Sequence, residues 1–375
     1  MHYLQNKTSE NYMVASANVA ILQCLAILIN GPKHESPKDI SEDDNSIHEA
    51  IKFARSFLEG KSDLLGNEIT ILYNIWLRNG LKLNRKVPAI IAKYYNCEMK
   101  ILPIANNNVN ASKLKKKLQK SDRSGRFTEE FRRAAFYNIC PQDILVTSGF
   151  YVEMAWREPF IENLTTKGTF HISESERIEV EMMVQRSGLV CVTCDSINAT
   201  VLQLPLTAHN MCMLVYLPYD KTKGLDDISK HFTPGNFEIL VRKLTQSKPK
   251  PVYVTLPKFS LKQSGIMPAT FSETEDTLES NTIVAPGCKI FQTSTLTISE
   301  YGLNTTKTGQ SEATMTGPAV HDGIKWTQFT ATSPFLFMLV DTEYKLIFLV
   351  GKVARPGELK EVKSKIKKNR NWCCI

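Results

Sequence analysis

The stretch "FTATSPFLFMLVDTEYKLIFLVGKVARP", Phe329–Pro356, holds two strand-like runs, "PFLFMLVDT" and "KLIFLVGKV". Upstream lie "KIFQTSTLTIS", "PVYVTLPKFSL", "CMLVYLP" and "ATVLQLPL", a dense series of further β-rich segments. Earlier still, "DILVTSGFYVEMA" and "EMKILPI" read as strands, and "EITILYNIWL" as a central strand covered on both faces. Helical patterns concentrate near the start. Val14–Asn30 reads as a buried helix, too short and too polar at Asn18 to favour a membrane span. Ser46 and Glu49 form a capping box ahead of Ile47, Ile51, Ala54 and Leu58, and "VPAIIAKYYN" gives a short helix. Helices early and strands late predict an α+β fold with mixed or antiparallel sheets, not the alternating βαβ of nucleotide-binding proteins. Neither a repeat nor a linker divides the chain, so residues 1–356 are expected to form a single domain, with residues 357–375 as a tail.

At 375 residues, 42% hydrophobic and 22% charged, the composition is that of an ordinary globular protein. The net charge of +8 suggests attraction to polyanions without marking a specific nucleic-acid binder. Nine cysteines form no evenly spaced framework, and most sit in apolar runs, as Cys24 and Cys212 do. That pattern favours a reducing compartment, and the opening "MHYLQNKTSENYMV" lacks the pattern of a signal peptide, so a cytoplasmic monomer is expected. If this start belongs to an incomplete gene model, an extracellular location follows instead.

Enzymatic chemistry is not expected. No phosphate-binding loop, zinc-protease or nucleophile-elbow motif occurs, and the seven histidines fall in no triad spacing. Cys191 and Cys194 have metal-like spacing but no second pair, and on a strand they point to opposite faces. Neither a metal nor a cofactor is expected.

Two basic features carry alternatives. "KLKKKLQKSDRSGR", Lys113–Arg126, is either a solvated helix or a polyanion site built on Lys113, Lys115, Lys116, Lys117 and Lys120. The polybasic end closes on Cys373, Cys374 and Ile375, and is either a bare tail or a lipid-anchored one docking on an anionic membrane surface.

The late segments carry a resemblance. "VLQLPL…MCMLVYLP" (Val201–Pro218), "VYVTLPKFSL" and Phe329–Pro356 resemble, in order, the strand motifs of the serpin family. "ILVTSGFYVEMAWREPF", with Trp156, Pro159 and Phe160, is similar to its central-strand motif, and "KGTFHISESERIEVEMM" to the segment after it. The resemblance implies about nine helices, three β-sheets and an exposed reactive loop, with the first family helix lacking most of its counterpart before Asn11. It also implies a serine or cysteine protease as partner. In the family the protease cleaves the loop as bait, and the loop's hinge then inserts into the large sheet.

By the same resemblance, Glu300 and Gly302 match the hinge, and insertion begins at Leu303 in "ISEYGLNTTKTG". Alternation sends Leu303, Thr305, Lys307 and Gly309 to one face, which the resemblance implies turns into the core. Leu303 is expected to crowd a site that usually takes a hydroxyl, and an unpaired Lys307 ammonium costs several kcal/mol when buried. Asn18, Ser148 and Gln292, with Trp156, occupy the positions of the sheet-opening region, but the family's usual polar partners are replaced. Counting from Glu300 places the bait bond at Thr316, beside Gly317. Lys325 is the alternative and suits a trypsin-like protease. The expected function is a bait-loop protein with weak or lost protease trapping, with a working serine or cysteine protease inhibitor as the alternative.

Overall fold

The opening pair of runs forms an antiparallel hairpin whose first strand is buried at every residue. The computed structural model describes residues 10–15, 48–49, 52–53, 55–57, 67–77, 86–95, 97–105, 108–122, 124–137, 144–220, 224–267, 288–305 and 325–357. In chain order the strands begin β1 (Tyr12–Val14), β2 (Glu68–Leu77), β3 (Glu98–Ile101), β4 (Ile104–Ala105), β5 (Asn108–Val109) and β6 (Ile144–Ala155). Next come β7 (Thr166–His171), β8 (Arg177–Cys194), β9 (Ala199–Pro205), β10 (Met211–Pro218), β11 (Lys250–Pro257) and β12 (Phe259–Met267). The last are β13 (Cys288–Ile298), β14 (Gly302–Leu303), β15 (Thr327–Thr330), β16 (Phe335–Asp341) and β17 (Leu346–Val353). Five α-helices are described: α1 (Lys86–Ile90), α2 (Ala111–Ser121), α3 (Thr128–Tyr137), α4 (Gly224–His231) and α5 (Pro234–Gln246). The first helix expected from sequence lies outside the described residues apart from its start, where Val14 ends a strand; the described residues of the second, 48–49, 52–53 and 55–57, are helical.

Alternation along β16 explains its unbroken burial. Phe335, Phe337 and Leu339 enter one core cluster, while Leu336, Met338 and Val340 enter another on the opposite face. The second cluster is covered by α5, whose Phe237, Leu240, Val241 and Leu244 lie on one helical face beneath a Thr233 cap. Cys191 and Cys194 likewise divide between the two clusters. Burial pushes the Cys212 thiol up to about 12, which leaves it a small hydrophobe. Gly351 faces Phe337 so closely that a Cβ would overlap the ring, so only glycine fits there.

The hairpin belongs to a nine-stranded sheet, ordered β1-β17-β16-β10-β9-β8-β11-β15 with β7 on β8. A second sheet of six strands runs β12-β13-β14-β6-β2-β3, and β4 with β5 forms a small third. Parallel pairs (β13 with β6, β11 with β15) mix with antiparallel ones, as the α+β reading expects. On one face of the six-stranded sheet, α2 and α3 cover Trp76, Leu145 and Phe291 through Leu114, Leu118, Phe127 and Phe131.

The basic run Lys113–Arg126 does not continue as one helix. Asn110 caps α2 by accepting from the Lys113 amide at 3.0 Å, and the helix stops before Asp122. The buried Asp122 carboxylate accepts from Ser124, from Thr128 and from the Phe127 amide, which fixes a turn into α3.

Candidate functional site

The six-stranded sheet forks. From Cys288↔Ile144 to Ser294↔Phe150, β13 and β6 pair directly in parallel. Beyond that point they separate, and β14 fills the gap, pairing antiparallel with both: Leu303 opposite Ile298 and Met154, Gly302 opposite Ala155. Gly302 sits at φ +149°, and a Cβ would collide with the Met154 carbonyl oxygen, so only glycine enters the fork here. Leu303 is 1% exposed and lies in the core cluster with its cross-strand partners Met154 and Ile298. Leu303 packs there among apolar side chains of that cluster.

The next residue ends the insertion. Asn304 turns into the left-handed region at φ +52°, which asparagine tolerates better than most residues. Its amide nitrogen donates to the Val152 carbonyl on β6 at 2.7 Å and to the Thr295 carbonyl on β13 at 3.1 Å. Its side-chain oxygen accepts from the Thr297 amide at 2.7 Å, and its own amide donates to the Thr297 carbonyl at 2.7 Å. One side chain thereby replaces the backbone of the strand that stops there and satisfies both edges of the fork.

The approach to the fork is tied as firmly. Glu300, 4% exposed, accepts from Thr165 Oγ1 at 2.8 Å and pairs with Lys258 Nζ at 3.3 Å. Burial acts to lower the Lys258 pKa, but Glu300 and then Glu181 outweigh it and hold the ammonium above its ordinary value. Trp156 donates through Nε1 to the Ser299 carbonyl and through its backbone amide to the Tyr301 carbonyl, both at 2.9 Å. Tyr301 donates its hydroxyl to Glu162 at 2.6 Å.

The mixed sheet is thus split at one end, with the segment after β13 folded back between two of its strands. A sequence model of the serpin family (serine protease inhibitor) matches residues 2–356 of this chain. The chain belongs to the serpin family. A serine protease inhibitor of Cyanea capillata is 21% identical over 371 residues, covering 92% of each chain. Macrophage plasminogen activator inhibitor 2 of Mus musculus is 27% identical over 227 residues, which are 57% of this serpin and 53% of that protein. Among solved structures, a serpin of the trematode Schistosoma haematobium aligns with TM-score 0.67 at 18% identity, over 95% of this chain and 96% of its own. Human thyroxine-binding globulin aligns with TM-score 0.66 at 16% identity, over 95% of each chain.

The fold brings the sheet-opening positions together only in part. Ser148 and Gln292 are buried cross-strand neighbours on the closed part of the seam, and Gln292 donates to the Ala15 carbonyl at 3.3 Å. Trp156 stands just past the end of β6, eight residues beyond Ser148 and roughly 26 Å away at strand rise, where it binds the Ser299 and Tyr301 carbonyls. Asn18, Lys307, Thr316, Gly317, Cys373 and Cys374 lie outside the described residues. Lys325 is exposed, two residues before β15.

On α2, Lys113, Lys116 and Lys120 are exposed on the face opposite Leu114 and Leu118, and show no ion pair among the described residues. Lys115 pairs with Glu129 at 3.9 Å, and Lys117 donates to the Ile101 carbonyl at 2.8 Å. Arg126, from the end of the basic run, is held by Glu68 and by the face of the Tyr151 ring, 4.1 Å from its centre. The sequence reading missed Asn304, Lys258 and Thr165. A lysine amid the apolar "VYVTLPKFSL" was the available sign for Lys258, because a charge set between two apolar strands favours an oppositely charged partner.

Proposed function

We propose that this serpin presents its loop to a serine or cysteine protease and serves mainly as a cleavable substrate, trapping weakly. The observation that carries this reading is the stop at Asn304: the hinge is parked with Leu303 inserted, and the next residue is latched in a left-handed turn. Further insertion requires Asn304 to return to extended backbone and give up its side-chain bonds. By strand alternation Lys307 would then face the core, where an ammonium without a partner costs several kcal/mol. Each step slows insertion relative to hydrolysis of the acyl-enzyme, and that race decides between trapping and release. Family membership alone is neutral, since the similar structures include a protein named for binding thyroxine.

Incubation with a panel of serine and cysteine proteases tests the reading. The expected result is a cleaved serpin with little SDS-stable adduct, and an increased adduct fraction in Lys307→Ala. A near-equimolar adduct with the unmodified chain overturns it.

A working inhibitor is the second reading, favoured by the seating of Leu303 without conflict in the core. A separate partner class follows from charge: Lys113, Lys116 and Lys120 form one outward stripe on α2 that suits a sulfated polysaccharide.

A further inference from the structure

Between Leu303 and the start of β15 the chain carries two basic side chains that a trypsin-like protease could read, Lys307 and Lys325. Residues 308–323 hold neither lysine nor arginine, and most of them are neutral. A protease with a primary pocket for a basic side chain therefore has two bonds to choose from. Cleavage needs a scissile carbonyl open to both the nucleophile and the oxyanion donors. It also needs the residues beside that bond free to lie as an extended strand along the protease.

The Lys325 side chain is exposed, but the chain that follows it is fixed. Trp326 is half-buried, and from Thr327 to Thr330 β15 pairs in parallel with Val252 to Thr255 of β11. Phe329 is 1% exposed within the core cluster, and the Ala331 amide donates to the Thr255 carbonyl at 2.9 Å. Two residues span at most about 7 Å, so Lys325 cannot stand further than that from the first paired residue, Thr327. Packed layers need about 10 Å between them. A protease seated on the Lys325–Trp326 bond must therefore displace β15 and expose Phe329.

The approach to Lys307 is committed on its other side. Two residues earlier, Thr305 folds back so that its Oγ1 sits 2.9 Å from where a Cβ on Gly302 would stand. The Thr305 carbonyl accepts from Ser299 Oγ at 3.4 Å, and Asn304 before it lies in the latched turn. The residues that should run along the protease ahead of Lys307 are held by the fork instead.

We infer that neither lysine is the bait, and that the protease partner has a primary pocket for a neutral side chain and not for lysine or arginine. This rests on the loop-presentation reading above and adds the partner's substrate class. Lys325, the alternative bait position that sequence offers, is ruled out by the strand that follows it.

Limited digestion of the full chain tests this, with trypsin in one arm and pancreatic elastase or chymotrypsin in the other, each cut being located by intact mass. Trypsin is expected to cut after Lys325 at least tenfold more slowly than in a free peptide of residues 318–332, the factor set by exposing Phe329. Cutting after Lys307 should lag similarly behind a free peptide of residues 300–314. Elastase or chymotrypsin is expected to cut within 308–323. Position 316 is eleven residues from both Thr305 and Thr327, so Thr316→Arg should be cut there by trypsin at least tenfold faster than after Lys325. Phe329→Ala, which loosens β15, should speed trypsin after Lys325 about tenfold and leave the elastase cut unchanged. Trypsin cutting the parent after either lysine as fast as the peptides, or forming an SDS-stable adduct there, overturns the inference and leaves loop presentation standing. Silence of both elastase and chymotrypsin within 308–323, with Thr316→Arg cut by trypsin, overturns the neutral pocket alone. Resistance of Thr316→Arg to trypsin refutes loop presentation itself, and the inference with it.

Discussion

Asn304→Gly is the most informative single change in the hinge. Glycine keeps the left-handed turn at φ +52° without strain but removes the side chain that spans the fork. Three hydrogen bonds go, to the Val152 and Thr295 carbonyls and from the Thr297 amide. At about 0.5–1.5 kcal/mol net for each bond, the parked state loses roughly 2–4 kcal/mol, with water at this half-exposed site favouring the lower end. Amides that open only when the hinge leaves should then exchange roughly 30- to 1000-fold faster. The Trp156 amide, bound to the Tyr301 carbonyl, and the Ser299 amide, bound to the Gly302 carbonyl, report that opening, because neither touches the Asn304 side chain. Asn304→Ala should exceed Asn304→Gly by a further ~1 kcal/mol, the cost of a Cβ in the left-handed region. If only the Thr297 amide speeds up while Trp156 and Ser299 stay protected, the side chain decorates the fork without holding the hinge, and the latch argument is wrong.

Two other outcomes follow from the same geometry. Lys258→Met leaves the Glu300 carboxylate buried with Thr165 as its remaining described side-chain partner, and should lower thermal stability by roughly 1–3 kcal/mol, the range for a hydrogen bond to a charged group. Because the Lys258 pKa is raised, that contribution is complete below the ordinary lysine value and fades only as pH climbs through the raised one. The stability difference between parent and Lys258→Met should therefore stay flat between about pH 6 and pH 9 and shrink in stronger alkali, as read by thermal melts across pH. Replacing Lys113, Lys116 and Lys120 together by Gln should weaken retention on a sulfated-polysaccharide column and flatten its salt dependence by roughly two to three charges' worth. Retention equal to the parent's would remove the α2 stripe as a binding face.

The strands of the second half were legible because each buries apolar residues over its whole length, and a run such as "PFLFMLVDT" has few other ways to hide from water. The ordered motifs around them identified the family and singled out Gly302 and Leu303, which pair between β13 and β6. Less legible was the basic run after Asn110. Composition suggested one charged helix, but Asp122 prefers to bond the backbone amide and hydroxyl that follow it, and so breaks the run in two. Trp156 stands apart from Ser148 and Gln292 for a geometric reason: one strand spans much of the sheet's length, and Trp156 follows its far end.

By itself the sequence determined the fold class, the family and the segment that enters the sheet, since these follow from burial patterns and motif order along the chain. Tertiary structure alone decided how far that segment goes. The stopping point depends on Val152 and Thr295 presenting carbonyls to one asparagine from two strands. Those partners lie far apart in the chain, and their bonds form only once three strands have met.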